Sequence, residues 1–231
     1  MRKVVIGLSG GMDSATLLGH LLEQGAEVHC CTFYYGSKHG KWENRAAENI
    51  IDYYQNKRLP IFGYAFDLQA VFANLLSTSS LLNSGGDIPE GHYTDITMKS
   101  TVVPGRNMIF SSIMASLAES IGAQEVALGV HAGDHHIYPD CRPEFIGALD
   151  RAVYLSSDKT VEITTPFVNF TKLDILMAGK VHYKTEVPYH LTRTCYTDHE
   201  FSCGKCGSCV ERLEAFSQYG MPDPITYQNQ V

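Results

Sequence analysis

A glycine-containing turn near the start of the chain constrains the fold more than any other feature. The turn covers residues 9–14, with the sequence Ser-Gly-Gly-Met-Asp-Ser, and lies between an apolar run at 4–8 and a leucine-rich stretch at 15–22. This order indicates a strand, a tight turn and a helix. Glycines let the backbone approach a bound anion closely, and the N–H groups at a helix start hold the anion there. The turn therefore predicts a phosphate site in an α/β domain.

This turn differs from a Walker A loop, because no Gly-Lys-Ser/Thr ending follows the glycines. Ser-Gly-Gly-x-Asp-Ser directly after an N-terminal strand instead resembles the PP-loop of ATP pyrophosphatases. Those enzymes split ATP between its α and β phosphates and use AMP to activate a carbonyl oxygen. An ordinary glycine-containing turn is the weaker alternative. The resemblance implies that ATP contacts the following residues: Leu8, Ser9, Gly10, Gly11, Met12, Asp13, Ser14, Ala15, Thr16, Leu17 and Leu18.

Apolar runs and helical patterns alternate along residues 1–180. Strands are predicted at 3–8, 27–33, 61–66, 125–130 and 160–164. Helices are predicted at 14–24, 41–56, 107–121, 143–155 and 171–180. This order predicts a Rossmann-like parallel sheet of the PP-loop (HUP) type, with helices on both faces. Ligands of such sheets bind at the carboxyl ends of the strands, so the loops there are the places to search for a site.

The tail at 181–231 contains four of the seven cysteines, and we expect it to form a small metal-binding subdomain packed on the α/β domain. The spacing C-x7-C-x2-C-x2-C, with glycines between the cysteines, lets four thiolates surround one tetrahedral ion. Zinc is the first choice. An iron–sulfur cluster is the alternative, because C-x2-C-x2-C also begins a ferredoxin-type run. The predicted ligands are Cys195, Cys203, Cys206 and Cys209.

Bulk composition limits the classes of partner. The net charge is −7, from 18 basic and 25 acidic residues, which argues against a general nucleic-acid surface. The chain begins with a predicted strand, so no signal peptide is expected, and no apolar run approaches the length of a membrane span. We therefore expect a cytoplasmic protein with reduced thiols and small-molecule substrates. A homodimer is left open.

Charged and polar side chains at predicted helix starts are candidates for binding anions. Arg106, before the helix at 107–121, suits a phosphate or carboxylate, although a solvated arginine fits the local pattern equally well. Lys172 lies near a predicted helix start, where negative side chains are usually favoured. It therefore either binds an anionic partner or is an exposed lysine without a function. With the turn residues, they give these catalytic candidates: Asp13, Ser14, Arg106 and Lys172.

The densest polar loop covers residues 129–145, after the fourth predicted strand. His131, Asp134 and His135 could form a metal trio, but the four cysteines satisfy that expectation better. We favour substrate and Mg²⁺ contacts for this loop. Together with the loop after the second strand, it supplies these substrate-binding candidates: Tyr35, His39, Asp134, Tyr138, Asp140 and Arg142.

Motifs along nearly the whole chain jointly resemble those of the 7-cyano-7-deazaguanine synthase family, known as QueC. The resemblance implies an enzyme that makes a nitrile from 7-carboxy-7-deazaguanine, ammonia and ATP, with Mg²⁺, in queuosine-type biosynthesis. It also implies zinc on the four cysteines. The matching motifs are Ser9-Gly10-Gly11-x-Asp13-Ser14, Tyr35-Gly36-x-x-His39, Val103-Pro104-Gly105-Arg106-Asn107, Tyr138-Pro139-Asp140-Cys141-Arg142-x-Glu144-Phe145, Thr165-Pro166, Lys172 and Thr194-Cys195-Tyr196 with the three later cysteines.

Three other interpretations stay open. The residues His135-His136-Ile137 depart from those common in the family, which leaves open a different acid or a reaction that stops at the amide. A tRNA-sulfurating PP-loop enzyme would need a sulfur-carrying cysteine, for which Cys141 is the candidate, and a basic RNA face. A non-catalytic nucleotide-binding zinc module is the third interpretation, and an intact Asp13-Ser14 pair argues against it.

Overall fold

One parallel five-stranded sheet forms the centre of the molecule. The structure, a computed structural model, describes residues 1–75, 77–92, 96–181 and 185–228. The strand order is β3-β2-β1-β4-β5, and all neighbours pair in parallel. The predicted Rossmann-like sheet is therefore confirmed. The strands are β1 (Lys3–Gly7), β2 (Glu27–Tyr34), β3 (Ile61–Asp67), β4 (Glu125–Ala127) and β5 (Glu162–Thr164).

Five of the helices lie within a few residues of their predicted bounds. Two were not predicted: α3 is only six residues long, and α7 begins among the cysteines, where glycines and ligand spacing hide the helical period. The helices are α1 (Met12–Glu23), α2 (Gly40–Asn56), α3 (Gln69–Asn74), α4 (Arg106–Ile121), α5 (Pro143–Ser156), α6 (Lys172–Lys180) and α7 (Gly207–Tyr219).

Helices cover both faces of the sheet, as predicted. Successive residues of a strand point to opposite faces, so Val4 joins one apolar cluster and Val5 joins the other. The first cluster includes Leu18 of α1 and Phe216 of α7. The second cluster includes Met114 of α4, together with residues of α5. Burial of both clusters fixes the two layers of helices on the sheet.

Strand β4 is shorter than predicted, and this shapes the site. It ends at Ala127 rather than at residue 130. The next residue, Leu128, still donates its N–H to the Thr164 carbonyl at 2.8 Å, but Gly129 and Val130 leave the ladder and line a cavity. The order of the strands changes direction between β1 and β4, so this cavity lies at a switch point of the sheet.

A long polar segment covers residues 77–105, between α3 and α4. Its described residues lie against two other loops. The Lys38 N–H donates to the Leu81 carbonyl at 2.8 Å, and the Gly91 N–H donates to the Lys205 carbonyl at 3.0 Å. The segment therefore bridges the loop after β2 and the cysteine-containing tail.

The tail packs on the α/β domain through α7, which lies against α6. Within the tail, Arg212 is fully buried and forms a bidentate pair with Asp223, with its Nε 2.7 Å from Oδ2 and its Nη2 2.9 Å from Oδ1. Phe216 joins the apolar cluster of the main domain. We retain the division at residue 180 as a proposal. No helix in the described part of the chain combines the length and the hydropathy that crossing a membrane requires.

Candidate active site

A cavity at the carboxyl ends of β1, β2 and β4 brings most of the predicted site residues together. Those that line it are Leu8, Ser9, Gly11, Met12, Asp13, Ser14, Tyr35, His39, Arg106, Asp134, Tyr138 and Lys172. Others from the sequence prediction lie elsewhere, in the core or in neighbouring turns. They are Gly10, Ala15, Thr16, Leu17, Leu18, Asp140 and Arg142.

The turn between β1 and α1 has the geometry of an anion site. Gly10 has φ of 78°, and a Cβ there would lie 2.6 Å from the Glu43 carbonyl oxygen, so the close approach of α2 requires glycine. Ser9 Oγ accepts the Gly11 N–H at 3.2 Å and lies 3.1 Å from Ser14 Oγ. Helix α1 then begins at Met12. Its first N–H groups, which have no partner inside the helix, therefore lie beside the cavity.

Lys172 lies at the centre of a charged cluster beside this turn. Its Nζ lies 2.6 Å from Asp13 Oδ2, 3.1 Å from Glu211 Oε2 and 3.0 Å from His131 Nε2. Burial alone would lower the pKa of Lys172, but Asp13 and Glu211 outweigh it, and the pKa lies above its ordinary value. Lys172 is therefore a protonated cation.

Asp13 is the complementary anion of the cluster. Burial alone would raise the pKa of Asp13, but Lys172 and His131 outweigh it, and the pKa falls below its ordinary value. One of its oxygens, Oδ1, is buried and has no hydrogen-bond partner. A buried carboxylate oxygen without a partner is unfavourable, so this atom fits a ligand cation that the cavity would admit.

Arg106 lies among tyrosines at the other end of the cavity. Its Nη1 donates to Tyr35 Oη at 3.3 Å, and its guanidinium carbon lies 5.9 Å from the ring centres of Tyr35 and Tyr138. No described carboxylate lies within ion-pair distance of it. Burial alone would lower the pKa of Arg106, but Tyr35 and other neighbours raise it. A part-buried cation that forms no ion pair within the described part of the chain suits an anionic ligand.

Two of the predicted substrate contacts make structural bonds instead of lining the cavity. Asp140 Oδ2 accepts the Asn107 N–H at 3.0 Å, in the first turn of α4. Arg142 Nε donates to the His135 carbonyl at 3.0 Å. Cys141, between them, is buried and lies at the cavity wall. Its burial raises the pKa of the thiol, so Cys141 stays protonated and is a poor nucleophile.

The cavity residues outside the predicted catalytic, ATP-binding and substrate-binding sets include three that make polar contacts at the site. Buried His131 accepts the Gly133 N–H on Nδ1 at 3.1 Å and contacts Lys172 through Nε2. Tyr196 follows the first tail cysteine, and its hydroxyl lies 3.5 Å from that of Tyr138. The N–H of Arg193 donates to the Gly10 carbonyl at 2.7 Å. The dense polar loop and the Thr-Cys-Tyr motif could have indicated His131 and Tyr196 as site residues. No sequence motif indicates Arg193.

The four tail cysteines converge as their spacing predicts. Their Sγ atoms all lie within 4.8 Å of one another, which fits a metal ion, and no other such group occurs among the described residues. Backbone N–H groups of Cys203 and Cys206 donate to Sγ of Cys195 and Cys203, each at 3.3 Å. Contacts with Cys203 and the other two thiols lower the pKa of Cys195. The convergence of four sulfur atoms is compatible with a bound metal ion.

Comparisons with known proteins agree with the fold and the motifs. The model of the QueC family, described as a queuosine biosynthesis protein, matches residues 3–220. A 7-cyano-7-deazaguanine synthase of Marinomonas sp. is 44% identical over 226 residues, covering 98% of each chain. One of Caldicellulosiruptor saccharolyticus is 45% identical over 231 residues, covering 100% of this chain and 97% of that protein. The chain belongs to the QueC family, and the predicted resemblance is confirmed.

Solved structures add information about the fold alone. NMN synthetase from Francisella tularensis superimposes with a TM-score of 0.53 at 17% identity, covering 95% of this chain and 77% of that chain. The similarity extends over both the sheet and most of the tail, because nearly the whole chain is aligned.

Proposed function

We propose that this chain converts 7-carboxy-7-deazaguanine and ammonia to 7-cyano-7-deazaguanine at the expense of ATP. The observation that carries the proposal is one cavity with two different ends. A phosphate-type turn with Asp13 and Lys172 forms one end, and Arg106 with two tyrosines forms the other. Full-length similarity to synthases of this name supports the same reaction.

ATP binds with its β and γ phosphates at residues 9–14 in this proposal. The N–H groups at the start of α1 hold phosphate oxygens, and Lys172 supplies a positive charge beside them. Asp13 Oδ1, buried and without a protein partner, is the oxygen that would hold Mg²⁺. Bound Mg²⁺ would neutralise the charge of the leaving pyrophosphate.

The deazapurine acid binds at the other end in this proposal. Arg106 holds its carboxylate, and the rings of Tyr35 and Tyr138 cover the planar bicycle. Of the two aspartates among the predicted substrate-binding residues, Asp134 lines the cavity, but its Oδ2 lies 3.7 Å from His131 Nε2, beside the Lys172 cluster. Asp140 accepts a hydrogen bond from α4, so we assign neither aspartate to the guanine-like edge of the acid. Arg106 is a better candidate than Arg142 for the carboxylate.

Two activations account for the chemistry. A carboxylate oxygen attacks the α phosphate of ATP, which forms an acyl adenylate and releases pyrophosphate. Ammonia then attacks the carbonyl carbon, AMP leaves with that oxygen, and the amide remains after loss of a proton. The amide oxygen attacks a second ATP in the same way, and departure of AMP with loss of two protons leaves the nitrile. The chain contributes orientation and fixed charges.

Zinc is the metal that we propose for the four cysteines. A tetrahedral ion with metal–sulfur bonds of about 2.3 Å separates its sulfurs by about 3.8 Å. Cys203 Sγ and Cys209 Sγ are 4.0 Å apart, which supports one ion rather than a cluster whose thiolates bind separate irons. The metal would fix the tail beside the cavity and supply no chemistry. The cytoplasm stays a prediction for the location, and a homodimer stays open.

The tRNA-sulfurating alternative receives less support. It needs a thiolate that carries sulfur, and Cys141 is held protonated by burial. The remaining cysteines lie in β2 or in the tail cluster. We therefore prefer the synthase reaction.

Product analysis tests the proposal. We expect the purified protein, given 7-carboxy-7-deazaguanine, ammonium, ATP and Mg²⁺, to form the nitrile, with the amide as its precursor, as detected by mass spectrometry. Consumption of ATP only with a different acid would refute the proposed substrate but would still support the proposed ATP site. Accumulation of the amide without nitrile would limit the reaction to its first half.

A further inference from the structure

The charged cluster around Lys172 is assembled from four separate elements. Asp13 comes from α1, His131 from the loop after β4, Lys172 from the first residue of α6 and Glu211 from α7. An ammonium group has three protons to donate. Two carboxylates accept from it, Asp13 at 2.6 Å and Glu211 at 3.1 Å from Nζ, and His131 Nε2 lies 3.0 Å away, so the cluster holds Lys172 in one place.

Glu211 is the only member of this cluster that belongs to the cysteine-containing tail. It follows Cys209 by two residues on α7. Its carboxylate fits a space that a glycine leaves: a Cβ at Gly133 would lie 2.5 Å from Glu211 Oε1 and 2.8 Å from His131 Cε1. A side chain larger than glycine at position 133 would therefore displace this carboxylate or the His131 ring.

Charge balance indicates what this position does. Lys172 is a buried cation, and its shortest contact is with Asp13, a cavity-lining residue whose buried Oδ1 has no hydrogen-bond partner. When Asp13 turns its charge to a bound cation, the ion pair with Glu211 is the protein contact that still holds Lys172 in place. Glu211 Oε2 lies 3.1 Å from Lys172 Nζ and comes from α7, not from α1, the helix that follows the phosphate turn.

We propose that Glu211 is a positioning residue that holds Lys172 beside the phosphates when Asp13 binds the cation of Mg·ATP. This inference rests on the proposed function. Without the charge of Glu211, Lys172 pairs more strongly with Asp13, and both groups become less available to the nucleotide. The tail thus contributes to nucleotide binding through a side chain as well as through its fold.

Two variants separate the charge of Glu211 from its position. Glu211→Gln keeps the shape of the side chain and removes its charge. Gly133→Ala keeps the charge and displaces the carboxylate, together with the His131 ring. Glu214→Gln is the matched control, because Glu214 lies on the same helix, is 48% exposed and pairs with His92 at 3.4 Å, away from Lys172.

Equilibrium binding of α,β-methylene-ATP with Mg²⁺ gives a readout that does not depend on turnover. We expect Glu211→Gln and Gly133→Ala each to weaken binding about tenfold, and Glu214→Gln to leave it unchanged. The KM for ATP should rise in Glu211→Gln while kcat at saturation stays within about twofold. All variants should keep the metal content and melting temperature of the unchanged chain.

Several outcomes would overturn the inference. Equal binding by Glu211→Gln and the unchanged chain would show that the carboxylate has no role in the nucleotide site. Weaker binding accompanied by loss of metal would assign Glu211 to the stability of the tail instead. An unchanged protein that does not bind the analogue would refute the ATP site itself, and with it this inference, whereas analogue binding without nitrile formation would refute only the proposed reaction.

Discussion

The phosphate end of the cavity and the cysteine-containing tail achieve order in opposite ways. The turn at residues 9–14 is held by the backbone, between a central strand and a helix that are both buried. Segment 195–209 has no strand of the sheet and gathers four thiols through turns and one helix start. The first region is stabilised by the core, whereas the second gathers four thiols that could hold a metal ion. We therefore expect the order of the tail, unlike that of the phosphate turn, to depend on a bound metal.

Two described contacts join these regions directly. The Arg193 N–H donates to the Gly10 carbonyl at 2.7 Å, and Glu211 contacts Lys172 at 3.1 Å. Disorder in the tail should therefore reach the phosphate site, even though no cysteine of the tail lines the cavity.

Loss of the metal should have the largest effect. Cys206→Ser removes one of four thiolates, and the binding free energy of a structural zinc site, about 10–16 kcal/mol in small peptides, is largely folding energy. We expect metal content to fall from about one ion per chain, with a clear drop in melting temperature. Elemental analysis and thermal unfolding provide the measurements.

The matched control for this change is Cys141→Ser, a buried cysteine outside the cluster. It should retain the metal. A Cys206→Ser protein that keeps one ion and its melting temperature would remove the contrast between the two regions.

Replacement of Asp13 should act on the reaction and leave the fold intact. Asp13→Asn removes the charge that pairs with Lys172 and faces the cavity. We expect release of pyrophosphate to fall by about a thousandfold, which corresponds to about 4 kcal/mol of activation free energy. The exposed Asp52→Asn is the control, and it should change nothing. Near-normal turnover of a folded Asp13→Asn protein would contradict the proposed role.

Arg106 and Arg142 form a natural pair for testing the acid end of the cavity. Only Arg106 lines the cavity, although the sequence offered both. Arg106→Gln should weaken the acid's binding or turnover by about 2–5 kcal/mol, as expected for loss of a buried charged partner. Arg142→Gln should change the KM for the acid little. Equal losses in both variants would contradict the assignment of the carboxylate to Arg106.

The smallest predicted effect concerns a core thiol. Burial raises the pKa of Cys31 to about 12, whereas an unfolded cysteine titrates near 8.5. Above about pH 8.5 the thiol loses its proton in the unfolded state and keeps it in the folded state. The free energy of unfolding therefore falls as the pH rises toward 12. Cys31→Ala should flatten this slope by up to about 1.4 kcal/mol per pH unit. Denaturant titrations between about pH 8 and 10 measure the slope of unfolding free energy against pH. Identical slopes for Cys31→Ala and the unchanged chain would contradict the raised pKa of Cys31.

The sheet and five helices could be predicted because apolar periodicity and glycine turns are local signals. Helix α7 could not, since ligand spacing obscured its start. The sequence placed Asp140 beside Tyr138 in one polar loop, but the short 3-10 helix Pro139–Cys141 turns Asp140 toward the start of α4. Nothing in the sequence distinguishes Glu211 from Glu214, because only the packing of α7 on α6 selects the residue that meets Lys172. The roles of the cavity residues stay predictions.

The most direct test of the proposed reaction follows the oxygens of the acid. 7-Carboxy-7-deazaguanine labelled with ¹⁸O in both carboxylate oxygens is incubated with ammonium, ATP, Mg²⁺ and the protein. Because each activation transfers one oxygen from the acid or amide to AMP, we predict two molecules of AMP per nitrile, each with one ¹⁸O, and unlabelled pyrophosphate. Label in water, phosphate or pyrophosphate, with unlabelled AMP, would contradict the account.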